Sequence, residues 1–259
     1  MLTPGNKKLG GHLIWGFGLP SGTAKLCPGM TPTCRRVCYA VRLQSYRPQA
    51  AKRYRQNLRL AKRKDFVRRI RAFLIAQGIR VVRIHTGGEF VTGKYIRKWQ
   101  RIIERSPKVR FFTYTRAWRV PEFREALEGL SQLPNLVLWY SADRDTGMPE
   151  NPPPNVRIAW LVTDADERPP PEADLVFRTQ PLRKIPALEL AGVPICPAEN
   201  GSNGQQPPAT CDRCRICWRP TEPRPQPRRI SLPVLSPYNG DFDAVRRTRH
   251  LLRHTESAP

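Results

Sequence analysis

Residues 136–140 read Leu-Val-Leu-Trp-Tyr, an unbroken apolar run that is followed by the polar residues Ser141 and Asp143. A second run, Val-Arg-Ile-Ala-Trp-Leu-Val, stands at residues 156–162. Short runs rich in branched and aromatic residues predict buried strands, and strands that are apolar on both faces are typical of parallel sheets. The two runs therefore predict neighbouring strands of a sheet that is covered on both faces.

Similar runs lie on both sides of this pair, at residues 11–17, 79–85, 109–114 and 174–177, with a last candidate at 193–196. Helical patterns separate the earlier runs, at residues 49–77, 95–103 and 121–130. Alternating strands and helices predict an α/β fold of parallel βαβ units. We expect a partial or irregular β/α barrel of the TIM type, with a doubly wound open sheet as the alternative.

Proline marks the connections in the second half of the chain. The 28 prolines cluster at residues 149–154, 169–171 and 220–227, which cannot be helix interiors. We expect residues 1–195 to form the barrel. Residues 196–259 are expected to form a proline-rich, cysteine-containing C-terminal extension of the same compact unit.

The chain of 259 residues is strongly basic, with 45 Lys and Arg against 21 Asp and Glu and a formal charge of +24. Such an excess favours a nucleic acid partner, although arginine-rich codon usage and solvated helix faces remain the alternative. The helical pattern that interleaves Tyr54 and Phe66 carries the basic residues Arg53, Arg55, Arg59, Lys62, Arg63, Lys64, Arg68, Arg69 and Arg71. A second basic run comprises Arg246, Arg247, Arg249 and Arg253.

No apolar run approaches the roughly 20 residues of a membrane-spanning helix, and no signal-peptide pattern follows the first residues. We therefore expect a cytoplasmic protein without a membrane partner. In a reducing compartment, the 7 cysteines are expected to be metal ligands or reactive thiols instead of disulfides. Walker, H-E-x-x-H and G-x-S-x-G motifs are absent from the sequence, so hydrolase and nucleotide-dependent functions lack support.

The first cysteine group is Cys27, Cys34 and Cys38, in the segment that follows the first predicted strand. Three thiolates leave one coordination position open, as in catalytic metals and in clusters that bind a substrate or cofactor. The alternative is a structural zinc site that His12 or His85 completes. The segment would lie at the carboxyl ends of the strands, where β/α barrels place their active sites.

The second cysteine group is Cys196, Cys211, Cys214 and Cys217, in which the last three form a C-x2-C-x2-C motif. Four thiolates complete a tetrahedral zinc site or hold a four-iron cluster, which predicts a structural or electron-relay role. The spacing does not distinguish zinc from an iron–sulfur cluster.

Polar residues follow three of the predicted strands. Gly87, Gly88 and Glu89 come after the second strand, where paired glycines allow a ligand to approach the backbone and a carboxylate can accept its hydrogen bonds. His85 ends the same strand, and Ser141 and Asp143 follow the Leu-Val-Leu-Trp-Tyr strand. We expect these residues to bind a cofactor or substrate; a tight turn and ordinary polar strand ends are the alternatives.

The chain resembles the phage gene product 88 family of phage and mobile-element proteins over nearly its whole length. The residues that carry the resemblance are Leu19-Pro20, Cys27-Pro28-Gly29, Cys34, Cys38-Tyr39-Ala40, Asn57, Val82 to His85, Gly88-Glu89-Phe90, Tyr95, Trp99, Tyr114-Thr115, Cys196-Pro197 and the C-terminal cysteine motif with Trp218. This resemblance implies no particular activity.

The order of features is also distantly similar to the radical S-adenosylmethionine superfamily. That resemblance implies a [4Fe–4S] cluster on Cys27, Cys34 and Cys38, and S-adenosylmethionine contacted by Gly87 to Glu89. It implies a 5′-deoxyadenosyl radical that abstracts hydrogen, and a second cluster on the C-terminal cysteines. The spacing here is C-x6-C-x3-C instead of the usual C-x3-C-x2-C, and Phe90 replaces the usual proline.

Three hypotheses follow. The first is a radical S-adenosylmethionine-like iron–sulfur enzyme that acts on a nucleic acid or a nucleic-acid-bound substrate. The second is a non-enzymatic nucleic-acid-binding protein of a phage or mobile element, stabilised by zinc or iron–sulfur sites. The third is a redox regulator whose nucleic-acid affinity changes when its cluster is lost.

Overall fold

Seven strands form one sheet in a computed structural model that describes residues 1–184, 192–199 and 209–220. Residues Met1–Arg224 form one compact unit. The second unit, Pro225–Pro259, lies outside the described residues, and so does the predicted basic run from Arg246 to Arg253. The predicted boundary after residue 195 stays a prediction.

The strands follow one another across the sheet in the order of the sequence. They are β1 (Thr3–Pro4), β2 (Ile14–Phe17), β3 (Val81–Ile84), β4 (Arg110–Thr115), β5 (Leu136–Ala142), β6 (Val156–Val162) and β7 (Leu175–Arg178). All neighbours pair in parallel except the edge strand β1, which pairs antiparallel to β2. The apolar runs thus predicted the parallel α/β sheet, whereas β1 had no sequence signal.

The predicted barrel is not confirmed. Within the described ranges the sheet is open, because no strand ladder joins β7 to β1 or β2. The doubly wound alternative does not fit either, since the strand order never reverses. The last predicted strand is only an isolated parallel bridge between Ile195 and Val176.

Seven α-helices accompany the sheet in the described residues. They are α1 (Pro32–Val37), α2 (Tyr39–Tyr46), α3 (Pro48–Lys62), α4 (Phe66–Ala76), α5 (Gly93–Glu104), α6 (Arg124–Ser131) and α7 (Cys211–Cys214). The single helix predicted over residues 49–77 is therefore two helices. Asp65 separates them, and its carboxylate binds the side chains of Arg63 and Arg69 at 2.8 and 2.7 Å.

Helices α3 to α6 cover one face of the sheet, which agrees with right-handed crossovers in a sequential strand order. Their apolar residues pack on strand residues such as Phe17, Ile84 and Leu138. An aromatic cluster ties the sheet to α4 and α5, because Phe17 lies 5.9 Å from Phe66 and 5.3 Å from Trp99 between ring centroids. In α5, Thr92 caps the first turn by accepting the backbone N–H of Tyr95.

The opposite face, which we call the helix-free face because α3 to α6 do not cover it, is covered by the C-terminal cysteine segment with its short helix α7. Cys211, Ile216, Cys217 and Trp218 pack there against strand residues that include Trp139. The cover is incomplete at the carboxyl ends of the strands. In each of the strands β3 to β7, the last residue whose side chain faces this side is half-buried. The residue two positions earlier, which faces the same side, is buried in every case. The five half-buried residues are Arg83, Tyr114, Ser141, Leu161 and Phe177. We call this region the open end.

No helix in the described ranges is long and apolar enough to cross a membrane.

Candidate functional site

The first cysteine group occupies the segment between β2 and α2. Cys27 lies in a turn in which its carbonyl accepts the N–H of Met30 at 3.0 Å, Cys34 lies on α1, and Cys38 joins α1 to α2. Thr31 caps α1, because its hydroxyl accepts the N–H of Cys34 at 3.0 Å. This segment therefore contains one short helix, α1, which fixes the relative positions of Cys34 and Cys38.

Burial keeps the thiols of Cys27 and Cys34 protonated. It raises the pKa of Cys27 to about 12, and thiolates at Cys38 and Cys34 would raise this pKa further. Burial also raises the pKa of Cys34, while the positive charge of Arg116 lowers it. The three thiols thus lie near enough for the charge of one to affect the pKa of another.

Asp143 connects this segment to the end of β5. Its Oδ2 atom accepts the hydroxyl of Thr31 at 2.9 Å and lies 2.8 Å from Nη1 of Arg116. Asp143 is fully buried, so the Arg116 guanidinium supplies its counter-charge. The neighbouring Asp145 accepts the backbone N–H of Thr33 at 2.8 Å. The predicted residue Asp143 therefore fixes the cysteine segment by direct hydrogen bonding.

Glu89 lies on the other side of Arg116 and is also buried. Its carboxylate accepts the hydroxyl of Thr115 at 2.7 Å and the backbone N–H groups of Phe90 and Arg116 at 2.7 and 2.6 Å. Burial raises the pKa of Glu89 to about 7, although these hydrogen bonds lower it. Both carboxylate oxygens thus bind protein donors, and the proton on Glu89 is poised near neutral pH.

Gly87 and Gly88 are packed against protein atoms. Gly88 has a φ of +77°, and a Cβ atom there would lie 2.6 Å from Cβ of Leu19 and 2.8 Å from the carbonyl oxygen of Pro20. A Cβ on Gly87 would lie 3.0 Å from the ring of Tyr54. Because Gly87 and Gly88 have no side chains, the turn after β3 packs closely against the segment that follows β2. This packing agrees with the alternative of a tight turn.

His85 and Ser141 have different surroundings. His85 is buried on the helix-covered side, where its Nε2 lies 3.1 Å from the hydroxyl of Tyr95, and burial lowers its pKa to about 3. The side chain of Ser141 faces the open end. The contacts of His85 thus lie with Tyr95 and Phe90 instead of with the cysteines, and His12 is exposed.

The second cysteine group is anchored on the helix-free face. Trp139 donates its indole N–H to the carbonyl of Cys217 at 3.0 Å, and Arg157 donates to the carbonyls of Ile216 and Arg219 at 2.6 and 2.9 Å. Burial raises the pKa of Cys196 to about 12 and that of Cys217 to about 11. A thiolate at Cys217 would raise the pKa of Cys196, so the two parts of the group lie close together.

No group of three or more Cys, His, Asp or Glu side chains in the described ranges is placed so that it could hold a metal ion. The thiol chemistry of both groups fits a thiolate-bound metal, but the positions of the side chains do not close around one. Separately, a cleft of about 430 Å³ lies at the amino ends of β5 and β6. No predicted site residue lines that cleft.

The predicted basic helix is α3 with α4. Its arginines and lysines face solvent, apart from the half-buried Arg71, but Tyr54 and Phe66 are buried in the core. The exposed aromatic residues are instead Tyr39 and Tyr46 on α2, with 57% and 62% of their surface accessible. No Asp or Glu precedes Asp65 in the chain, so α2 and α3 carry only positive formal charge.

Sequence reasoning did not find Arg116, which links Glu89 and Asp143 through its backbone and its side chain. One further contact shows how closely it approaches the cysteine segment. A Cβ atom on Gly29 would lie 1.8 Å from the carbonyl oxygen of Arg116. The only sequence signal for Arg116 was its position directly after a predicted strand.

Comparison with known proteins gives a family match. The model of the protein family described as "Gene product 88" matches residues 1–220. Two curated relatives are the "Gene 88 protein" of Mycobacterium phage L5 and that of Mycobacterium phage D29. Each is 30% identical over 140 residues, which cover 50% of this chain and 57% of the relative. The chain thus matches little more than half the length of these relatives, and no solved structure matches it.

Proposed function

The chain belongs to the Gene product 88 family, and we propose that it is an iron–sulfur protein of a phage or mobile element, a radical S-adenosylmethionine-like enzyme acting on a nucleic acid or a nucleic-acid-bound substrate. One observation carries the proposal. The cysteine segment, Glu89 and Asp143 meet at Arg116, at the carboxyl ends of parallel strands. Parallel α/β sheets bind their ligands at this edge.

In this proposal, Cys27, Cys34 and Cys38 hold a [4Fe–4S] cluster. When bound, the cluster and S-adenosylmethionine would supply radical chemistry by one-electron reduction. The protein's own contribution is positional. Asp143 and Thr31 fix the start of α1, and the guanidinium of Arg116 lies 2.8 Å from Asp143. Glu89 orients the segment after β4 and can hold a proton near neutral pH.

The open end supplies the place for cofactor and substrate. Ser141 faces it, and Gly87, Gly88 and His85 shape the turn behind it without facing it. The second cysteine group forms its floor and would hold a second cluster or a zinc ion. Because that group packs on apolar strand residues, its role in the proposal is to stabilise the sheet and shield it from water.

The test compares two matched variants of the protein purified without oxygen. Replacing Cys27, Cys34 and Cys38 with Ser is expected to remove about four irons per chain and the formation of 5′-deoxyadenosine from S-adenosylmethionine under reducing conditions. Replacing Cys211, Cys214 and Cys217 with Ser should leave the first cluster in place. A wild-type protein without iron or sulfide, or one that never cleaves S-adenosylmethionine, would overturn the proposal.

The nucleic acid partner is supported by the surface of α2. Tyr39, Arg42 and Tyr46 are spaced by three and four residues, so they share one helix face. All three are exposed, and Arg47 lies over the ring of Tyr46 at 5.8 Å. Aromatic side chains that alternate with arginines bind single-stranded nucleic acid by stacking on bases and by pairing with phosphates.

Binding to a fluorescent single-stranded oligonucleotide tests this surface. Tyr46→Ala is expected to lower the affinity at least fivefold, since one stacked base contributes about 1–3 kcal/mol. Ile75→Ala is the control, because Ile75 is an exposed apolar residue on α4. If the two variants bound the oligonucleotide with equal affinity, α2 would not be part of the nucleic-acid interface.

A zinc-stabilised, non-enzymatic nucleic-acid-binding protein is the second candidate. It is favoured by the way in which residues 209–220 cover the helix-free face, since a metal held there would stabilise the fold without taking part in chemistry. A colourless protein that contains zinc, lacks iron and still binds the oligonucleotide would establish this function instead.

A further inference from the structure

Four cations form a row along the exposed side of α3. They are Lys52, Arg55, Arg59 and Lys62, and we call them the basic row. Their spacing of three, four and three residues places them on one side of the helix. All four are exposed, and they face away from the buried residues Tyr54 and Asn57. The row extends along about 15 Å of helix.

The basic row has no counter-charge in the described part of the chain. None of its four side chains forms an ion pair or a hydrogen bond there, whereas three arginines beyond its end share the carboxylate of Asp65. Like charges three and four residues apart destabilise a helix. The row therefore weakens α3 unless a bound anion neutralises it.

The positive charge of the chain is concentrated in the part that contains α3. Residues 1–64 include 14 Lys and Arg and no Asp or Glu, so they supply 14 of the formal charge of +24. Arginine-rich codon usage would spread the excess over the whole chain. A concentration in about a quarter of the residues favours a polyanionic partner that binds at this part of the surface.

The helix α2, with its exposed tyrosines, lies beside α3. A Cβ atom on Gly87 would lie 3.1 Å from Cβ of Ala40 on α2 and 3.0 Å from the ring of Tyr54 on α3, so both helices pack against the same turn. The exposed Tyr46 ends α2, and only Arg47 separates α2 from α3. Proteins hold single strands of nucleic acid by combining cations that follow the phosphates with aromatic rings on which the bases stack.

We propose that the basic row binds the phosphate backbone of a single strand of nucleic acid whose bases stack on Tyr46. The inference rests on the nucleic acid partner proposed above and adds the course of the strand along α3. A duplex does not fit Tyr46, because its bases already stack on one another and leave no free face for the ring. Binding by the row is electrostatic, so it depends on salt and not on base sequence.

The test is the salt dependence of binding to a fluorescent single-stranded oligonucleotide, measured with the full chain. The first variant replaces all four residues of the basic row with Gln. The matched control replaces four exposed cations on α5 and directly after it with Gln, namely Lys94, Arg97, Arg101 and Arg105. Both variants lose four positive charges, so they differ in the position of the change and not in net charge.

The basic-row variant is expected to bind at least tenfold more weakly than the wild-type protein. The slope of log K against log salt concentration should become shallower by roughly 0.7 for each lost phosphate contact. The α5 control should keep the wild-type slope. If the basic-row variant does not fold, the pair Arg55→Gln and Arg59→Gln replaces it and should change the slope by about half as much.

Four other outcomes would overturn the proposal. Equal slopes in the two variants would show that net charge, and not the row, accounts for binding. Tighter binding of a duplex of the same sequence would exclude the single strand as the partner. If Tyr46→Ala weakened binding and the basic-row variant did not, the strand would not follow α3, although the nucleic acid partner would stand. Wild-type protein that bound no oligonucleotide would remove both the row's role and that partner.

Discussion

The hydroxyl of Thr31 donates a hydrogen bond to Asp143 at 2.9 Å, although 112 residues separate them in the chain. Thr31 begins the helix that carries Cys34, and Asp143 follows the strand β5. The cysteine segment is therefore held by the far side of the sheet and not only by the strand that precedes it. Its geometry depends on the whole parallel sheet having formed.

Asp143→Asn is expected to destabilise the protein by about 3–5 kcal/mol, because it leaves the buried guanidinium of Arg116 without a counter-charge. Chemical denaturation of the metal-free protein measures this change in the free energy of unfolding. Asp145→Asn is the control, since Asp145 is exposed and the amide oxygen can still accept the N–H of Thr33. Equal losses in the two variants would contradict the central role of the Asp143–Arg116 pair.

Gly88→Ala tests the close approach of the turn after β3 to the segment after β2. A Cβ at Gly88 requires a left-handed backbone and meets Leu19 at 2.6 Å, so we expect a loss of at least about 3 kcal/mol. Gly78→Ala is matched to it, because Gly78 has a φ of +57° with open space around it. That variant should lose only about 1 kcal/mol, measured by the same denaturation. A similar loss in both would show that backbone conformation alone decides the cost.

Glu89 makes the stability of the metal-free protein depend on pH. Its pKa is about 7 in the folded protein and 4.5 ordinarily, so the folded state retains a proton that the unfolded state has lost between these values. The contribution of Glu89 to stability is therefore complete below pH 4.5 and falls as the pH rises to 7, by on the order of 3 kcal/mol.

Glu89→Gln cannot ionise and serves as the reference. The unfolding free energy of the wild-type protein minus that of Glu89→Gln should decrease from pH 4.5 to 7 and then stay constant. A difference that increases with pH would show that the hydrogen bonds from Thr115 and Arg116 outweigh burial and keep the carboxylate ionised.

Metal binding by the cysteines should release protons. Because burial raises the pKa of Cys27 and Cys196 to about 12 and that of Cys217 to about 11, the thiols are protonated at pH 8. Adding zinc to the reduced, metal-free protein is expected to release about one proton for each thiol that binds. An indicator dye in weak buffer measures the release, and Cys217→Ser should reduce it by about one. If zinc bound without releasing protons, its ligands would be residues other than these cysteines.

The parallel sheet could be predicted from sequence because its signal is local. Five of the seven apolar runs, such as residues 156–162, match a strand within two residues, whereas the run at 11–17 begins three residues before β2 and the run at 193–196 forms only a bridge. Breaks within helices were less visible. The separation of α3 from α4 depends on one carboxylate, Asp65, which binds two arginine side chains and has no effect on the hydrophobic period.

The candidate site was predicted in part. The cysteine segment, Glu89 and Asp143 lie at the carboxyl ends of β2, β3 and β5, and Arg116 contacts both carboxylates. Arg116 could not be found, because its role comes from contacts with residues distant in the chain. The packing of Gly87 and Gly88 against Tyr54 and Leu19 could not be predicted either. Paired glycines indicate that something lies close to the backbone, but they do not indicate whether it is a ligand or a side chain.

The sequential strand order has a consequence for how the chain is made. A ribosome delivers β2 to β7 in the order in which they pair, so each new strand can join the edge left by the previous one. Residues 209–220, which cover the helix-free face, emerge only afterwards. Until then the nascent protein exposes apolar residues such as Phe112 and Trp139, and chaperones would have to shield them. A chain that ends before residue 209 would leave this apolar surface exposed, so the late cysteine segment decides whether the sheet is covered on both faces.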